Sequence, residues 1–106
     1  MKTIIYLLHI ASRHHQNRDL SQAETVYRQI LETQPENADV FHFLGLISFQ
    51  RSCFTDAVSF ISRAIAIDPL ELAYLFSLGL IYSVVEKFND VIRFEKFYYR
   101  TYSSKN

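Results

Sequence analysis

The tetrapeptide Leu-Gly-Leu-Ile occurs at residues 44–47 and again at 78–81, 34 residues later. Sliding the chain by that interval aligns much more than the tetrapeptide. Pro35 falls on Pro69, Ala23 on Ala57 and then Val91, and Leu20 on Phe54 and then Phe88. Directly after those apolar residues stand Ser21, Thr55 and Asn89, each able to accept a hydrogen bond from the free N–H groups of a starting helix. A period of this length cannot bury its apolar flank alone, so copies must lean on one another.

Each period reads as two helices joined by a turn. The pattern predicts helices at 3–16 and 21–33, 38–50 and 55–67, and 71–84 and 89–102. Ser21, with Glu24 three residues on, reads as a capping box, Asn37 and Asp68 as caps of the later first helices, and Pro69 as an early helical residue. Ala11, Gly45 and Gly79 fall where a second helix must approach closely, and Ala23 and Ala57 offer a small surface in return. Phe41, Leu44 and Ser48 share the face turned toward that partner.

These residues resemble the tetratricopeptide repeat, whose pattern is W-x2-L-G-x2-Y, A-x3-F, P. The middle unit matches with Phe41, Leu44, Gly45, Ser48, Ala57, Ile61 and Pro69. The third offers Leu75, Leu78, Gly79 and Tyr82, then Val91 in place of alanine and Glu95 in place of the aromatic; the first offers Leu7, Ile10, Ala11 and His14, then Ala23, Tyr27 and Pro35. The resemblance covers nearly the whole chain. It implies an all-α, right-handed superhelical stack of three antiparallel helix hairpins, a single domain over 1–106 with units at about 4–37, 38–71 and 72–106.

Composition agrees with helices joined by short connections: two Gly and two Pro among 106 residues, with nine Phe and seven Tyr to fill interfaces. Eleven basic residues balance eleven acidic ones with no block of like charge, so no nucleic-acid partner is expected. The Arg93, Lys96 and Arg100 face reads as solvated cover beside Asp90 and Glu95. Cys53 is the only cysteine, which excludes an intrachain disulfide and suits a reducing, cytoplasmic setting. The opening MKTIIYLLHIAS looks like a leader, but Tyr6 and His9 interrupt it and it is too short for a membrane span.

No phosphate loop, nucleophile elbow or metalloprotease motif occurs, so no catalytic residue, cofactor or metal is assigned. Adjacent His14 and His15 point about 100° apart on a helix, and His9 with His42 lacks the further ligands of a zinc site. By the resemblance, function belongs to the concave side lined by the first helix of each unit. Its groove would comprise Leu8, Ser12, His15, His42, Leu46, Phe49, Phe76, Leu80 and Ser83, with Ile5, Asp39 and Ala73 also inward and His9, Phe43 and Ser77 at the edge. The Lys, Arg and Asn that hold a C-terminal carboxylate in some relatives are missing from these slots, so an apolar helix or peptide segment is the expected ligand. A second reading is a docking or regulatory subunit of a glycosyltransferase- or sulfotransferase-type enzyme system. A third is a homo-oligomeric scaffold formed through Phe94, Phe97, Tyr98, Tyr99 and Tyr102 of the last helix.

Overall fold

The computed structural model describes residues 3–103, and the side chains at 90, 91, 94, 97–99 and 101–103 lie outside that description. All of its regular structure is helical: α1 (Ile4–Gln16), α2 (Leu20–Thr33), α3 (Ala38–Gln50), α4 (Phe54–Ile67) and α5 (Leu72–Ser103). Helices α1 and α2 pack as one hairpin and α3 and α4 as a second; α2 touches α3, and α5 lies against α4 and α3.

The 34-residue period is written into the backbone of the two hairpins. After α1, the Asp19 N–H reaches the His14 carbonyl at 2.8 Å and the Arg18 N–H reaches that of His15 at 3.1 Å. After α3, Cys53 to Ser48 (2.8 Å) and Ser52 to Phe49 (2.9 Å) repeat the pattern. Both are Schellman closures, which require a left-handed residue after the helix. Arg18 (φ 64°) and Ser52 (φ 60°) supply it. The hairpins also end alike, with Gln34 N–H on the Ile30 carbonyl and Asp68 N–H on that of Ala64.

Thr3 and Asn37 cap α1 and α3, accepting from the N–H groups of Tyr6 and Val40. Other caps differ from expectation. Helix α2 begins one residue early, after Asp19, and α4 after Cys53, so Ser21 and Thr55 lie inside the first turn. Glu24, freed from a capping box, accepts from Arg51 at 2.6 Å and from Arg28 at 2.9 Å. Asp68 follows α4 instead of opening the next helix, and Pro69 lies in the connection before α5.

The third unit does not form a hairpin. Helix α5 runs unbroken for 32 residues, through the expected turn and through Asn89, which therefore caps nothing. The first two turns contain Asn17-Arg18-Asp19 and Arg51-Ser52-Cys53, whereas the third position reads Val85-Glu86-Lys87. Glu and Lys are good helix formers, and no Asn, Asp, Ser or Gly offers the backbone another route there.

Two apolar clusters carry the packing. Ala11, Ala23, Tyr27, Ile30, Val40, Leu44 and Ile47 form the first, among α1, α2 and α3. Phe41, Ala57, Ile61, Ala64, Tyr74 and Ile81 form the second, among α3, α4 and α5. Gly45 sits as expected: a Cβ there would lie 2.5 Å from Ile61 Cγ1 and 3.2 Å from the Ala57 carbonyl oxygen. Gly79 does not, since a Cβ on it would meet nothing within 4 Å. Its expected neighbour, Val91, lies twelve residues further along the same helix, about 18 Å away.

Candidate interaction surface

Three cross-helix hydrogen bonds define how first helices sit beside one another, and each spans 35 residues. His15 Nε2 lies 2.7 Å from Gln50 Oε1, joining α1 to α3. His42 Nε2 lies 2.7 Å from Ser77 Oγ, and the Tyr74 hydroxyl donates to Asp39 Oδ1, both joining α3 to α5. The histidines at two of these positions are thus engaged in polar links between helices.

Electrostatics around the second joint follow from partial burial. Desolvation holds His42 below its ordinary value, against the pull of Asp39 and Glu71. Tyr74 is raised, first by desolvation and then by its bond to Asp39. The His42 ring also rests 4.9 Å from that of Tyr74, centroid to centroid. In the first cluster, burial pushes Tyr27 up to about 12, and its ring stacks on Phe43 at 5.2 Å.

The predicted groove residues divide into three groups. Ser12, His15 and Leu46 come together with Tyr27, Phe43 and Gln50 around a depression of about 370 Å³. Phe76, Leu80 and Ser83 are exposed on α5 at helical spacing, Phe76 retaining 69% of its surface and Leu72 one turn before it 74%. Leu8, Phe49 and His42 are instead half-buried and committed to packing or bonding. Leu8 lies against the first cluster, and Phe49 lies against the second with its ring 5.8 Å from that of Phe54. Helix α3 is apolar nearly all round because it is the middle element, serving both clusters. Ile5, also placed inward, is exposed.

Sequence reasoning missed Ser77 as the His42 partner and Asp39 as the Tyr74 partner, although the 35-residue offset was available as a signal. The side chains of Phe94, Phe97, Tyr98, Tyr99 and Tyr102 lie outside the described residues. Among the described residues, no three His, Cys, Asp or Glu gather as a metal would require. No described helix is long and apolar enough to cross a membrane. Cys53 is exposed, with its thiol directed to the Arg51 carbonyl at 3.7 Å.

No protein-family model matches the chain. Over 70 residues it is 31% identical to the Drosophila melanogaster protein named BBSome complex member BBS4 homolog. That alignment takes in 66% of this chain and 14% of the fly protein, so the chain spans a small part of its relative.

Proposed function

We propose that this chain is a tetratricopeptide-like protein-interaction module, acting by binding and without catalysis of its own. The observation that carries the reading is the exposed stripe Leu72, Phe76 and Leu80 on α5, next to the joint where His42 meets Ser77. An apolar stripe at helical spacing fits an amphipathic helix or an extended apolar segment, which would bury Phe76 and Leu80 as its anchors. The depression around Ser12, His15 and Leu46 offers a second, more polar contact for the same ligand. Similarity to a protein named as a complex member supports partnership with protein over other ligand classes.

The test compares proteins captured by the wild-type chain with those captured by Phe76→Glu/Leu80→Glu, using quantitative mass spectrometry. Both residues are exposed, so helical content should stay the same while specific partners drop at least tenfold. Equal capture by the double variant would reject the α5 stripe. Phe49→Glu is unsuitable, because Phe49 packs between α3 and α4 and a charge there would destabilise the second hairpin as well as alter the surface.

A further inference from the structure

The straight α5 leaves a vacancy whose shape is defined by the preceding unit. In that unit Gly45 is pressed against Ile61 and Ala57 of the following helix. Gly79 occupies the same place in the next unit and faces nothing. Around it, Leu75 and Tyr82 are exposed one turn to either side. Beside it runs an open crease of about 250 Å³ between α4 and α5, lined by Phe54, Thr55, Val58, Tyr82 and Val85.

This crease borders the place beside α5 where the second helix of a third hairpin would lie. The corresponding space in the first junction is closed by polar groups: Glu24 and Arg51 bond there, and a shift of 34 residues turns them into Val58 and Val85. The vacancy is therefore apolar where its counterpart is charged. The chain also encodes a segment to fill it, because Phe88 stands at the Leu20 and Phe54 position and Val91 at that of Ala23 and Ala57. Being continuous with α5, that segment cannot turn back onto its own Gly79. The same segment of another molecule can.

We propose that two copies of this chain exchange the C-terminal halves of α5 about a two-fold axis near residues 86–87. Each copy lays its residues 88–102 antiparallel along the Leu75, Gly79 and Tyr82 face of the other, completing the third hairpin between molecules. The register follows from the second hairpin: Gly45 meets Ile61 there, so Gly79 of one copy meets Glu95 of the other. Leu75 and Tyr82 lie on the side of Gly79 away from Phe76 and Leu80, so the two faces adjoin along α5; a bridge between chains reads the pairing, and capture by the Phe76→Glu/Leu80→Glu variant reads the ligand site.

Three measurements on the 106-residue chain test it. Light scattering over a concentration series should give twice the mass of one chain; a single-chain mass throughout overturns the proposal and leaves the face for a different partner or for a closed monomer. In a Cys53→Ser background, Gly79→Cys with Glu95→Cys should oxidise to a disulfide between chains. Intrachain bridges alone, or none in a dimer, overturn the exchange. Finally, Glu86→Gly with Lys87→Asp restores turn residues like those of the first two hairpins, and should convert the dimer to a monomer with unchanged helical content. A dimer that survives this change also counts against exchange. Glu95→Ile, which restores the residue found at position 61, should move dissociation to at least tenfold lower concentration.

Discussion

At the scale of single residues, identical letters have unlike roles because their neighbours differ. Gly45→Ala must displace Ile61 and crowd the Ala57 carbonyl, an overpacking that costs about 1–3 kcal/mol and outweighs the helix propensity gained. In dilute, dissociated chain, Gly79→Ala meets nothing and should stabilise by about 0.5–1 kcal/mol. Urea midpoints for the two variants should move in opposite directions. Arg18 and Ser52 carry side chains in the left-handed region, so Ser52→Gly should raise stability by about 0.5–1 kcal/mol by relieving the Cβ crowding. His42 sets a pH window. Its folded value lies below the ordinary 6.5, so the unfolded chain binds the proton more readily. Its contribution is complete above pH 6.5 and is lost as the pH falls through the folded value. In a denaturation series from pH 8 to 5, stability should decline below about 6.5, and His42→Asn should flatten that part of the profile.

Between elements, the joints combine apolar contact with a few polar ties. Arg51 reaches from the turn after α3 to Glu24 and Ser21 of α2, locking one hairpin to the next. Glu24 is held below its ordinary carboxylate value, chiefly by its bond to Arg51. Its contribution is present above pH 4.5 and is lost in acid as the pH falls through the folded value. Because the pair is partly exposed, Arg51→Ala should cost only about 0.5–1 kcal/mol, less in high salt. Asn37→Ala removes the cap of α3 and should cost about 1 kcal/mol, read as a lower thermal midpoint. The turns explain which elements were legible beforehand. Four helices could be placed from periodicity and small residues, since Ala11, Ala23 and Ala57 are completely buried where close approach was expected. The period also predicted a break between 84 and 89 that does not form, because Val85, Glu86 and Lys87 keep the spacing of the repeat without its turn residues.

As a whole the molecule is long, 70 × 30 × 19 Å with a radius of gyration of 18.1 Å, against about 13 Å for a compact domain of this size. Its two clusters occupy the hairpins and the first half of α5, ending at Ile81 and Val85. Small-angle scattering from the Glu86→Gly/Lys87→Asp variant should show a radius several Å smaller than that of a straight-helix chain; an unchanged value would mean that the turn residues do not decide the shape. The candidate surface was only partly visible in advance for the same reason. The resemblance placed Phe76, Leu80 and Phe49 in one groove, but whether Phe49 faced solvent or Phe54 depended on how α3 and α4 crossed. Local spacing and side-chain size, both readable along the chain, set the helical class, the 34-residue period and the close approach at Ala11, Ala23, Gly45 and Ala57. Only the packing of α3 against α4 and α5 decided that His42 bonds Ser77 and that Gly79 has no neighbour. These depend on what lies across from each residue, and a repeat pattern specifies a slot without guaranteeing its occupant.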